Sequence, residues 1–408
     1  MDRMALISSK LRRCFQGAAF LILASSLYFF PVSSAEAQVS CLPPASGNNV
    51  CTLIPASTAA QFNGLEETIR KEYLNELTKS MADAAVLANI NASMMGPGTV
   101  NRFQVGAGLG VAGVQKDDIN IQYGDIAIPK FPNVGASINP GFMVGVNLGW
   151  LLGQGPADQP DANDKDKNSS GRSFLHRINI YGHGFQGNIG AGDLKSLTDS
   201  ASSKDLRLAG NVNSFGVTVR FQILRERYTR LDFFGFTGLS LGIGFHRKWE
   251  EINLGYQPTG SDAVKVEFGP ATGKWDADVN FAYQSRVQSV PVDIRTGVRL
   301  FYILTLFAGA GISNNTGYTK LNLGVSGPLY LALDANASGL PPEVIQQMNG
   351  NAGGTLSLRT SGSAEVRTQM NYFVGGFELN ILMFKVLAEA MATDDKIYSA
   401  NLGIKFAL

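Results

Sequence analysis

The chain closes on YSANLGIKFAL, Tyr398 to Leu408, where the apolar side chains fall on every second residue. Tyr398, Ala400, Leu402, Ile404, Phe406 and Leu408 share one face; Ser399, Asn401, Gly403 and Lys405 share the other. A side-chain period of two belongs to the extended strand, so this stretch is a β-strand with one oily face and one wet face. The period recurs beyond Asn101. Phe215, Val217, Val219, Phe221 and Ile223 alternate with Ser214, Gly216, Thr218, Arg220 and Gln222. Leu239, Leu241, Ile243 and Phe245 alternate with Ser240, Gly242, Gly244 and His246, and Val290, Val292, Ile294, Val298 and Leu300 oppose Asp293, Arg295, Gly297 and Arg299. Strands of this kind bury one face only, which suits a barrel in lipid or a half-exposed antiparallel sheet.

The links between strands separate those options. Short connections such as Arg225-Glu226-Arg227 alternate with long polar stretches, Asn188 to Asp205, Lys248 to Asp278 and Asn314 to Ser363, read here as loops. Short turns at one end and long loops at the other are the pattern of a transmembrane β-barrel. GVTVRFQIL, GVRLFYIL and GGFELNIL, ending at Leu224, Leu304 and Leu382, each precede a new apolar strand, as hairpins joined on one side would. With 46 Gly, 24 Phe and 12 Tyr and few charges, the composition fits one large β domain in the roughly 370 residues after an export signal. The fold class expected is all-β, a transmembrane antiparallel β-barrel of about 12 strands, range 10 to 14, with both ends of the chain periplasmic.

On these residues, YSANLGIKFAL resembles the C-terminal strand of bacterial outer-membrane β-barrel proteins. The resemblance implies recognition by the outer-membrane insertion machinery, outer-membrane lipid around the wall and an outer-membrane location. Leu408 stands where that class commonly ends in an aromatic residue, with Phe406 in the same phase.

At the other end, Arg3, Lys10, Arg12 and Arg13 precede an apolar run from Gly17 to Val32 and then Ala35-Glu36-Ala37. This reads as a signal peptide over residues 1–37. Cys41 and Cys51 then bracket LPPASGNNV and are expected to form a disulfide in an oxidising compartment. From Ser57 to Asn91, Phe62, Leu65, Ile69, Tyr73, Leu77, Met81, Ala84 and Ala88 recur at threes and fours, an amphipathic helix opened by Asn63 and Glu66 and stopped by Met94-Met95-Gly96-Pro97-Gly98. Residues 38–100 therefore form a helical segment, periplasmic or luminal, and 101–408 the barrel. A helix ahead of a barrel resembles the long-chain fatty-acid transport porins in architecture alone.

With the wet face luminal, the pore-lining candidates are Arg220, Asp232, Asp293, Arg295, Arg299, Glu378, Lys385 and Glu389, joined by Lys405. Such charges either pair across strands to fill a small barrel or line a wider pore. Asp161 to Gly171 spaces Asp164, Asp166 and Asn168 like the start of a calcium loop but lacks its sixth-position Gly and carries Leu175 where the closing acid belongs, so no metal is expected. Leu340 to Gly350 reads as a short helix. His176, His183 and His246 sit in no catalytic motif and are expected at strand ends, and Gly106 to Gly113 lacks the following helix of a phosphate loop, its glycines instead making room for the N-terminal helix. Neither enzymatic activity, a cofactor nor a nucleic-acid partner is expected, the net charge being +1. Two functions remain: passage of a small solute with the helix as plug or gate, or binding of an extracellular ligand by the long loops with the barrel as anchor.

Overall fold

The structure, a computed structural model, describes residues 38–44, 49, 51, 64, 66–123, 126–154, 174–189, 206–228, 233–256, 264–268, 271–276, 278–333 and 352–408. The signal peptide, the Asp161 to Gly171 stretch, the Leu340 to Gly350 helix, Asn63 and Asp232 lie outside the described residues.

The wall is an antiparallel meander. It comprises β2 (Phe103–Tyr123), β3 (Ile126–Asn147), β4 (Ile178–Ile189), β5 (Leu206–Leu224), β7 (Phe234–Tyr256), β10 (Asp278–Leu300), β11 (Leu304–Leu333), β12 (Ala352–Glu365), β13 (Gln369–Ile381), β14 (Phe384–Thr393) and β15 (Ile397–Ala407). Consecutive strands of this series pair with one another except β12 and β13, and β15 returns to β2 with Leu402 opposite Leu109, which closes the ring. β12 and β13 pair with β11 in one unbroken register, Glu365 opposite Tyr318 and Gln369 opposite Asn314, so together they form one wall strand. Counted this way, ten wall strands enclose the lumen among the described residues, inside the expected range of strands. The remaining strands are β1 (Gln38–Leu42), β6 (Arg227–Tyr228) and the hairpin of β8 (Val264–Phe268) and β9 (Ala271–Trp275).

The alternation sets which face meets lipid. Leu109, Val111, Phe215, Val217, Leu241, Ile243, Ile294, Val298, Leu402 and Ile404 are exposed on the outside, while Thr218, Arg220, Ser240, Asp293 and Arg295 are buried within. β14 and β15, of 10 and 11 residues, match the ~9–11 that cross a bilayer. β10 and β11, of 23 and 30 residues, run far past it. Above Phe215 and Ile243 the outward positions become Asn213, Arg247 and Glu251, with the Arg286 guanidinium 4.7 Å over the Trp249 ring near that boundary. The stretches Lys248 to Asp278 and Asn314 to Ser363 are therefore largely strand, a correction to their reading as loops. In water neither face of a strand must be apolar, so the alternation fades while the backbone ladder continues.

The turns at the other end carry the lower membrane boundary. Phe233, Phe234, Phe301, Tyr302, Leu382 and Phe384 are exposed there, with Phe233 and Phe301 ring centroids 5.5 Å apart. Phe301 and Tyr302 hold φ of 50° and 62°, values that tight hairpins normally give to Gly or Asn. Their side chains suit the interfacial belt, which offsets a backbone cost of roughly 1–2 kcal/mol per residue.

A helix, α1 (Asn75–Ile90), continues from a π-helical turn over Ile69–Leu74 and runs into the lumen. Its first turns show the expected stripe, with Leu74 buried and Glu72, Glu76 and Lys79 exposed. From Ala82 to Ile90 every residue is buried, on all sides of the helix. Ala82, Ala84, Ala85 and Ala88 keep it thin, and Gly135 of β3 lets the wall approach its backbone: a Cβ there would lie 2.2 Å from the Ser80 carbonyl oxygen. Within the Gly106 to Gly113 run, Gly108 makes the same allowance for Met94, whose Sδ would meet a Cβ at 2.3 Å.

The course of the N-terminal segment departs from expectation. β1 pairs with the upper part of β12, Gln38 opposite Arg359 and Leu42 opposite Thr355, far from the end where β15 finishes. The chain then descends through the lumen from the long-strand end and reaches β2 at the short-turn end, so β1 and the C-terminal end of β15 lie at opposite ends of the barrel. β14 rises only to Thr393, opposite Tyr372, and leaves the β12 edge above it uncovered. β1 covers part of that edge, the usual protection of a strand that would otherwise template association. The Cys41–Cys51 disulfide, with Cα atoms 5.5 Å apart, ties β1 to the segment in which Asn49 bridges Gly353 of β12. Cys41→Ser should remove about 2–3 kcal/mol of local constraint. Hydrogen exchange at Thr355 to Arg359 should then accelerate while the heat-resistant migration of the barrel is kept; unchanged exchange would show that the disulfide does not secure this edge.

Candidate functional site

The lumen is built from inward residues of nearly every wall strand, and the N-terminal segment meets them at three levels. At the upper level Asp83 of α1 bonds Lys116 of β2 at 3.1 Å and approaches Arg367, beside β12, at 3.6 Å. These two cations stand on either side of the gap above the short β14–β15 hairpin, and α1 spans it. Nearby, Lys248 pairs with Glu250 at 2.7 Å and also donates to Ser137, while the Tyr283 hydroxyl donates to Glu250 at 2.9 Å.

The middle level is a neutral hydrogen-bond layer. His246 Nδ1 lies 3.1 Å from the Asn89 carbonyl oxygen and so carries the proton, leaving Nε2 to accept from the Thr218 hydroxyl at 2.9 Å. The His183 ring packs edge-on against His246 at 4.8 Å. Asn89 donates to Ser289 at 3.1 Å, Asn139 to the Ala88 carbonyl at 3.2 Å, and Asn401 to the Asn91 carbonyl at 2.6 Å. His183 and His246 thus face the lumen from mid-strand, unlike the strand-end placement expected of them; His176, buried beside Asn147 before β4, fits it.

The lower level gathers six of the eight pore-lining candidates. Arg220 of β5 bonds Asp293 at 2.5 Å, Asp293 bonds Arg295 at 2.9 Å, and Arg295 reaches Glu389 of β14 at 2.9 Å. Arg295 also donates to the Gly96 carbonyl at 3.0 Å, and the Gly96 amide donates to Glu389 at 3.3 Å. Glu378 takes Lys385 at 3.0 Å and Lys405 at 2.5 Å. All but Lys385 are nearly or fully buried, and the chain from Met94 to Gly98 lies across them. Among the described residues they form a packed, cross-strand network roofed by the plug. Burying so many charges is tolerable only because each carboxylate meets at least one cation. Arg299 lies below them, its Nε 3.4 Å from the Thr305 hydroxyl.

Two spaces accompany this network. A void of about 10 Å³, room for one water, touches Ile90, Thr218, His246, Asp293 and Arg295. At the short-turn mouth, beneath the plug, a cavity of about 470 Å³ is lined by residues including Gln104, Glu226, Arg299, Ile303, Leu382 and Lys385. Sequence phase put the six clustered candidates on the luminal face. The roles of Asp83, Asn89 and Asn91 had no comparable signal, because they depend on which wall residue the helix meets.

A closed antiparallel ring, apolar outside, polar and helix-filled inside, with interfacial aromatic residues at its lower margin, defines a transmembrane β-barrel of the outer-membrane class. No described helix is long and apolar enough to cross a membrane. The chain belongs to the Lsa36-like family, whose model matches residues 34–408. None of the functionally curated proteins matches it. Among solved structures it is similar to the translocator domain of the autotransporter NalP from Neisseria meningitidis, at 8% identity over 76% of this chain and 89% of that one, with a TM-score of 0.29. It is also similar to a Pseudomonas aeruginosa FadL homologue, at 9% identity over 91% of this chain and 100% of that one, with a TM-score of 0.25. A third likeness is to Ail, the attachment invasion locus protein of Yersinia pestis, at 10% identity over 76% and 100% of the two chains, with a TM-score of 0.23.

Proposed function

We propose that this barrel is a surface-exposed binding protein whose membrane portion is a closed anchor and whose projecting upper sheet meets an extracellular ligand. The observation that carries this reading is the filling of the lumen: Ala82 to Ala88 of α1 are each at most 1% exposed. A wall strand of 30 residues gives the sheet ample height above the bilayer, and β1 is laddered onto that sheet through β12. Binding, not catalysis, is the activity assigned. A second reading, a small-solute channel gated by α1, draws support from the polar seam around the plug, where Asn89 Oδ1, Asn91 Oδ1, Asn139 Oδ1 and Asn401 Oδ1 are buried without protein partners.

Planar bilayers separate the two. The mature chain should be silent across a range of voltages, and cells displaying it should bind immobilised extracellular macromolecules in a manner lost when outward residues Arg247, Trp249 and Glu251 are replaced together by Ser. Voltage-gated openings in the intact chain, with no surface binding, would favour the channel.

A further inference from the structure

The outer face of the wall carries two cations that no described acid pairs with. Where outward Phe245 and Val290 give way to polar residues, strand register sets Arg247 of β7 between Phe215 of β5 and Gln288 of β10, and sets Arg286 of β10 opposite Trp249. Both arginines are exposed, and among the described residues neither makes an ion pair. They are diagonal neighbours on one strand pair, an arrangement that puts side-chain origins about 7–8 Å apart, so both long side chains reach a common group. The Arg286 guanidinium lies 4.7 Å over the Trp249 ring, which orders it without using its N–H donors. The nearest outward acids stand farther from lipid or farther around the wall. Glu251 is one outward step higher on β7, in line with Gln284 and with Lys320 of β11. Glu365 of β12 is two strands from Arg286, beyond Tyr318, whose ring lies 5.6 Å from the Lys320 ammonium. The row that borders lipid, Phe215, Arg247, Gln288 and Thr316, carries no acid.

From this arrangement we infer that Arg247 and Arg286 clamp the phosphate of a lipid in the leaflet nearest the long strands, with the Gln288 amide as a further donor and the acyl chains against Phe215, Ile243 and Val290. Two guanidiniums favour a phosphate, whose oxygens accept paired N–H bonds. Position selects a lipid over a soluble anion: Phe215 and Ile243 are exposed directly below the clamp, so a headgroup held there leaves its chains in hydrocarbon. Trp249, also exposed, suits the same headgroup level.

The test uses the full mature chain in mixed detergent micelles and contains no extracellular macromolecule, so its outcome is independent of whether the projecting sheet binds one. Retention of phosphatidic acid is compared with that of diacylglycerol bearing the same acyl chains, with inorganic phosphate as competitor. Phosphatidic acid should be held about twentyfold more firmly than diacylglycerol, and Arg247→Gln and Arg286→Gln should each cut its retention about fivefold. Lys320→Gln, one row higher, should bind as the parent does, and heat-resistant migration reports a folded barrel in every variant. Equal retention of the two lipids overturns the site, as does parental binding by both folded arginine variants. An equal loss in Lys320→Gln overturns the clamp in favour of diffuse attraction. Displacement by inorganic phosphate at the lipid's own concentration overturns the lipid as its ligand.

Discussion

Arg295→Leu should be the most damaging single substitution in the lower lumen. It strips Glu389 of its cation, leaves Asp293 with Arg220 alone and removes the bond to the Gly96 carbonyl. Breaking a buried pair in this way costs about 3–5 kcal/mol, mostly through the charge left behind. The expected result is a large fall in the urea midpoint of the refolded barrel, with loss of heat-resistant migration under mild conditions. Adding Glu389→Gln to the same chain should restore most of the stability, because the neutral amide no longer needs the guanidinium and Arg220 still holds Asp293. A loss as small as that of a lipid-facing substitution, or no recovery in the double variant, would mean that the network does not act as a charge-balanced unit.

Gly135→Leu should open the barrel. The new Cβ would lie 2.2 Å from the Ser80 carbonyl oxygen and 2.6 Å from the Met81 amide nitrogen. Both are backbone atoms, which cannot turn aside as a flexible side chain can. Val114 of β2 holds Gly135 in the wall ladder, and α1 is the element displaced. Overpacking of this kind costs roughly 1–3 kcal/mol, here concentrated on the contact between plug and wall, and it also strains the 2.6 Å bond from Ser80 to Asn133. Stable conductance steps should appear in planar bilayers where the parent chain is silent, and amides from Ala82 to Ile90 should exchange faster. A silent, folded variant with parental exchange would show that the upper lumen has slack that the packing does not suggest.

How far the candidate site could be read from the sequence follows from what each feature depends on. Arg220, Asp293, Arg295, Glu378, Lys385 and Glu389 were legible as luminal because a two-residue period fixes which face a side chain occupies once one face is known to be oily. Their partners were not. Glu378 and Lys405 are 27 residues apart and Arg220 and Asp293 are 73 apart, and only strand register brings such pairs together. The plug shows the same division. Its period of three to four marked a helix with an apolar stripe, yet the half beyond Met81 has no wet face, since the barrel surrounds it.

The sequence by itself determined the outward and inward faces of the wall, the helix and its stop at Met94 to Gly98, and the neighbouring cysteines of the disulfide, because each depends on residues close together along the chain. The tertiary structure alone decided the closure of β15 onto β2, the extension of strands through polar stretches above the membrane, and the descent of the N-terminal segment through the lumen. Those outcomes rest on hydrogen bonds and contacts between distant segments. Their free energy depends on register and on the width of the bore, which no local pattern encodes.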